Sequence, residues 1–168
     1  MESYRKNSGF TLIEVIIYIG LFSIIIGGGM VAAYGIIEGT DAGSNKIVLQ
    51  EEANFLLRKI NWALTGATLV NVSGTRLEST KEVGGVSKTF SFNLCGDNLT
   101  IEEGAGRTCA NSPIILNSSS IEVAATTLFI KTTGSGKPDA ITTNFTLTTT
   151  QNGRNSSQIF STTKYLRK

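Results

Sequence analysis

Glu14 is the one charged residue in an apolar run from Phe10 to Ile37, which reads FTLIEVIIYIGLFSIIIGGGMVAAYGII. A carboxylate placed there can pair with a cation or accept hydrogen bonds. Left without a partner it costs roughly 2.5 kcal/mol or more at a bilayer centre, and less near the interface. Its presence therefore asks for a partner. The plain alternative is a glutamate snorkelling to the membrane surface with help from Arg5 and Lys6, which precede the run. The other reactive groups are Cys95 and Cys109. Two thiolates cannot complete a tetrahedral metal site, but they can form one disulfide in an oxidising compartment. The chain has no histidine, which removes the commonest member of hydrolytic triads and of many zinc sites. Ser–Lys chemistry would be the remaining hydrolytic route, and no Ser-x-x-Lys spacing stands in a convincing context. No catalytic residue, cofactor or metal is assigned, and an enzyme is not expected.

The element that must position Glu14 is the apolar run itself. As a helix it would reach about 42 Å, more than the roughly 30 Å hydrocarbon core of a bilayer. It is too long for the core of a cleaved secretory signal, although MVAAYG offers small residues. Arg5 and Lys6 before it, with Glu38 and Asp41 after it, favour a cytoplasmic N-terminus and an exported remainder. The whole chain is 168 residues, 40% hydrophobic and 17% charged, with a formal charge of +2. That is one ordinary domain behind one span, neither disordered by composition nor polytopic. The near-neutral balance argues against a nucleic-acid binder working through gross charge.

Lys6-Asn7-Ser8-Gly9-Phe10-Thr11-Leu12-Ile13-Glu14-Val15 resembles the prepilin signature of type IV pilins and type II secretion pseudopilins. The likeness covers the basic leader, the glycine, the phenylalanine, the glutamate and the apolar helix. It implies a pilin-like α+β fold, with a long transmembrane α-helix packed against a C-terminal antiparallel β-sheet head. It implies a leader at 1–9, a membrane and filament-core half at 10–37, an amphipathic continuation at 38–64 and an exported head at 65–168. Prepilin peptidase would cut between Gly9 and Phe10, and Phe10 would become the N-methylated terminus. A methylated amine keeps its charge, so Glu14 would receive the Phe10 ammonium of a neighbouring subunit. A pair of that kind specifies register more than it adds stability. The implied partners are other pilin or pseudopilin subunits, the peptidase/methyltransferase, an assembly platform protein and the membrane. Nucleic acid enters only if the filament is an uptake pilus. The implied location is a single pass of the plasma membrane, then a pilus or pseudopilus. The alternative is an anchored extracellular binding module or adhesin that never polymerises.

Many members of that family carry a proline along this helix. Here the prolines are Pro113 and Pro138, so Gly27, Gly28 and Gly29 would have to supply any weak point. The bland reading of those glycines is close helix–helix approach. Leu49, Ala53, Leu56, Ile60 and Ala63 recur at four- and three-residue steps, which predicts a second helical stretch over about 45–64 packed on a sheet. Whether 38–44 is a hinge or a bent continuation stays open.

From Thr65 onward the composition turns to Thr, Ser, Asn and Gly with alternating patterns. The clearest strands are 86–94, 98–102, 121–132 and 140–150, with a last one at 158–166. Breaks fall at Gly84-Gly85, Gly104-Ala105-Gly106 and Gly134-Ser135-Gly136-Lys137-Pro138. One antiparallel sheet covering the helix is expected. In an exported domain, Cys95 and Cys109 are expected to close a short loop, against the alternative of two thiols that never meet. The cysteine-closed C-terminal loop of many pilins is not carried over, since no cysteine follows Cys109. Asp97, Glu102 and Glu103 offer oxygen ligands, as calcium-binding pseudopilins do, but their spacing matches no calcium loop and solvated acids are favoured. Arg154, Lys164, Arg167 and Lys168 read as a solvated basic end.

Overall fold

The computed structural model describes residues 10–111, 113–135, 137–151 and 153–166. It divides into two compact units, Met1–Gly43 and Ser44–Lys168. One helix, α1 (Leu12–Leu64), contributes to both.

In the first unit, Leu12–Ile37 is long and apolar enough to cross a membrane, with a mean hydropathy of 2.3 and none of its most apolar window buried by the chain. A helix is what such a sequence requires, because lipid offers no partner for backbone N–H and C=O groups. The first turn closes as the Glu14 and Val15 amides donate to the Thr11 carbonyl at 3.1 and 3.3 Å. The helical backbone runs unbroken through Gly27, Gly28 and Gly29.

In the second unit the expected stripe is the buried face of the helix. Leu49, Ala53, Leu56, Ile60 and Ala63 are all essentially inaccessible. The end of α1 is closed from several directions. The Thr65 amide and hydroxyl both donate to the Asn61 carbonyl, at 2.9 and 2.7 Å. Lys81 Nζ donates to the Trp62 carbonyl and Ser79 Oγ to the Ala63 carbonyl, both at 2.7 Å. Gly66 then leaves the helix at φ 72°, the left-handed cap a glycine adopts without strain. The Lys81 ammonium also lies 3.9 Å from the centre of the Trp62 ring, a cation set against the negative end of the helix dipole.

Nine strands follow among the described residues. β1 (Ala67–Ser73), β2 (Arg76–Val83), β3 (Val86–Cys95), β4 (Asn98–Glu103) and β5 (Ile114–Ile115) form an antiparallel meander in that order. The β2–β3 hairpin turns on Gly84 and Gly85, at φ 61° and 79°, which suits a two-residue turn needing two left-handed residues. β6 (Ile121–Ala124), β7 (Phe129–Gly134), β8 (Lys137–Gln151) and β9 (Arg154–Tyr165) form a second antiparallel sheet. β8 is its axis. β9 pairs with residues 140–151 along one edge, while β7 and β6 share the other, at 137–143 and 146–149. Along β8 the side chains of Ile141, Thr143, Phe145, Leu147 and Thr149 point inward, and the intervening Thr142, Asn144, Thr146 and Thr148 are half-buried on the outer face. One hydrophobic core joins the helix stripe to Leu77, Phe92 and Leu99 of the first sheet and to Val123, Phe129, Ile141 and Leu147 of the second.

The α+β architecture expected from the sequence is the one observed, with three corrections. The described residues of the head form two sheets, not one. The expected strand 121–132 breaks at Ala125–Leu128, where Leu128 turns into the core and pairing with β8 restarts at Phe129. The expected break at 134–138 is narrower, with Gly134 paired to Lys137, so that β8 already contains Pro138. Pro138 precedes the first β9-paired residue, a place where a missing N–H is tolerated.

Candidate functional site

Glu14 lies in the first turn of α1, where negative charge complements the helix dipole. Its Oε1 accepts a hydrogen bond from the Tyr18 hydroxyl at 3.1 Å, one turn further along. The rings of Phe10 and Tyr18 meet edge-on, with 6.4 Å between centroids and 76° between planes. Sequence reading singled out Phe10 and Glu14 and missed Tyr18. The available signal was its four-residue spacing from the acid, which puts both side chains on one helix face. Arg5, Lys6 and Gly9 lie outside the described residues.

The glycines of α1 have room around them. A Cβ built on Gly27, Gly28 or Gly29 meets nothing within 4 Å, and the same holds for Gly20, Gly35 and Gly43. Nothing described in the chain packs closely enough on them to require a bare backbone.

The second cluster of sequence-derived residues sits on the outer face of the first sheet. Cys95 and Cys109 are joined by a disulfide, with Cα atoms 5.5 Å apart. The bridge is one of several ties that fold the segment Gly104–Asn111 back across β2 and β3. Ser91 Oγ donates to the Gly104 carbonyl at 2.6 Å, the Gly106 amide to Glu78 Oε1 at 2.6 Å, and Asn93 Nδ2 to the Arg107 carbonyl at 3.2 Å. Glu78 also pairs with Arg76. The Gly106 amide, followed by Arg76 and Ser91, holds the Glu78 carboxyl below its ordinary range against the opposing pull of desolvation. Sequence reading did not find Glu78.

The acids considered as metal ligands do not converge. Glu102 and Glu103 are consecutive on a strand and so face opposite sides. Glu102 faces Arg107 at 3.6 Å and Glu103 faces Lys88 at 3.0 Å. Among the described residues no three His, Cys, Asp or Glu gather as a metal site. Ser161 and Lys164 have the Ser-x-x-Lys spacing, but three residues along a strand place them on opposite faces, and Ser161 donates to Asn144 at 2.6 Å. Lys164 is partly exposed on β9, while Arg167 and Lys168 lie outside the described residues.

A family model described as the prokaryotic N-terminal methylation motif matches residues 4–30. The chain carries the prepilin-type motif of type IV pilins and pseudopilins. No curated protein and no solved structure matches the chain. The prepilin motif thus spans the basic leader, Gly9, Phe10, Glu14, Tyr18 and the glycine triplet, and stops before the head. It supports a type IV pilin-like or pseudopilin precursor.

Proposed function

We propose that the chain is a prepilin whose mature form is a minor structural subunit of a type IV pilus or a type II secretion-like pseudopilus. The observation that carries this is one of register: the methylation motif at residues 4–30 sets its acid, Glu14, in the first turn of an exposed apolar helix long enough to span a bilayer. Cleavage falls between Gly9 and Phe10 on the cytoplasmic face, where a glycine lets the backbone lie extended in a protease cleft. Phe10 is then methylated, and its ammonium meets Glu14 of an adjoining subunit as an assembly platform protein draws the helix out of the membrane. A misplaced subunit leaves that charge unpaired in an apolar bundle, which penalises wrong registers. Arg5 and Lys6 hold the leader on the cytoplasmic side. The head is exported, where the Cys95–Cys109 bridge persists. The glycine triplet is the place where the helix gives way under load. The modest head and the lack of a cysteine-closed C-terminal loop favour a minor subunit, and the presence of Glu14 disfavours a tip subunit. No reaction is assigned to the chain, which is itself a substrate.

Intact-mass measurement after co-expression with a prepilin peptidase tests the reading. Loss of residues 1–9 with one added methyl on Phe10 is expected. An intact Met1, or a cut near Ala33, would support the non-polymerising anchored module instead.

A further inference from the structure

The Glu14 carboxylate has a donor within its own helix, the Tyr18 hydroxyl at 3.1 Å. The two groups satisfy each other. A phenol in an apolar run is costly when its O–H has no acceptor, and a carboxylate there is costly when it has no donor. The residues around them in the run are Ile, Val and Leu, which fill space without polar atoms. A packing role alone would be met by one of those. The hydroxyl is the part of Tyr18 that packing does not explain.

The geometry points to a division of labour between the two carboxylate oxygens. An ionised carboxylate offers about four lone-pair sites over two oxygens. Tyr18 takes one on Oε1, which leaves Oε2 for a second donor. Glutamate has three side-chain torsions, and freezing them when a partner arrives costs entropy. A bond to a donor one turn away freezes them beforehand, and the Phe10 ring packed edge-on against the Tyr18 ring steadies the donor in turn.

We propose that Tyr18 is the positioning residue of the assembly carboxylate. In the single membrane-resident subunit it satisfies Glu14 while no foreign amine is present. During polymerisation it holds Oε2 toward the incoming Phe10 ammonium, which docks without displacing the phenol. The assembly role rests on the prepilin reading above, whereas the hydrogen bond does not.

The test uses the full chain in lipid nanodiscs with glutamate labelled by carbon-13 at the side-chain carboxyl. The Glu14 resonance is identified by its loss in Glu14→Gln. Tyr18→Phe, which removes one oxygen and keeps the ring, is expected to move that resonance. Tyr34→Phe, at an exposed site on the same helix, is expected to leave it in place. Tyr18→Gln restores a donor at the same spacing and brings the resonance back toward its original position. In cells building the filament, Tyr18→Phe should lower incorporation by roughly ten- to a hundredfold, the weight of one hydrogen bond to a charged group. Tyr18→Gln should recover it, with export and cleavage after Gly9 unchanged throughout. An unmoved resonance in Tyr18→Phe overturns the bond and the proposal together. A moved resonance with normal incorporation overturns the positioning role. If the peptidase does not cut after Gly9, the prepilin reading falls and takes the assembly role with it, while the resonance measured on the uncut chain still reports the bond.

Discussion

Two carboxylates are held in opposite ways, and each supports its own expectation. Glu14 sits among aliphatic side chains with a phenol as donor. Glu78 sits on a sheet among an amide N–H, a guanidinium and a hydroxyl. Replacing Glu14 by alanine should reduce incorporation into filaments to background, as counted by immunolabelling, while the circular dichroism of the head stays that of the native chain. Efficient incorporation of that variant would remove the case for charge pairing. For Glu78 the sign follows from its depressed folded value. Its contribution to stability is complete above the ordinary value of 4.5 and is lost as pH falls through the lower folded value. Denaturant titrations of Glu78→Gln from neutral pH to pH 3 should therefore show a shallower loss of stability at the acid end than the native chain shows. Parallel curves would mean that Gly106 and Arg76 do not hold the carboxylate.

At the scale of elements, legibility depended on what faced the core. The stripe from Leu49 to Ala63 could be read because helical spacing meets one apolar wall. β8 could be read because threonine and asparagine alternate with Ile141, Phe145 and Leu147. β2 could not. Its buried positions are Leu77, Ser79 and Lys81, and the last two are inside because they serve carbonyls at the end of α1. Polar residues recruited to cap a helix erase the hydropathic alternation that would announce a strand. β1 was missed for a related reason: Val70 is its one fully buried residue. The flap over the first sheet was half-legible. Cys109 marked a tie to the end of β3, but the ties from Glu78, Ser91 and Asn93 join polar side chains to backbone groups of the flap, which no residue pattern announces. A Cys95→Ser/Cys109→Ser double variant should lose about 3 kcal/mol of stability, the loop-closure value for a bridge of this span. Equilibrium unfolding in urea measures it, and a loss under about 1 kcal/mol would mean that the side-chain ties suffice to hold the flap.

At the scale of the molecule, the part of α1 from Ser44 onward belongs to the same compact unit as the strands, and its stripe fills their core. A fragment spanning 44–168 should therefore express as a soluble monomer with cooperative thermal unfolding, whereas a fragment beginning at 65 should not fold. Gel filtration and calorimetry distinguish the two, and a folded 65–168 fragment would show the helix to be dispensable. The site was more legible than the head because the prepilin motif is local in sequence, while the two-sheet arrangement depends on pairings across long separations. Those pairings also set an order of events as the polypeptide emerges. The meander from β1 to β4 joins neighbours in sequence and can close as each hairpin appears. β6 and β7 pair with a strand made after both of them. β7 can close on β8 once Thr143 has emerged, but β6 has no partner until Thr149 has left the ribosome, and it is during this interval that a nascent chain most needs a holding chaperone.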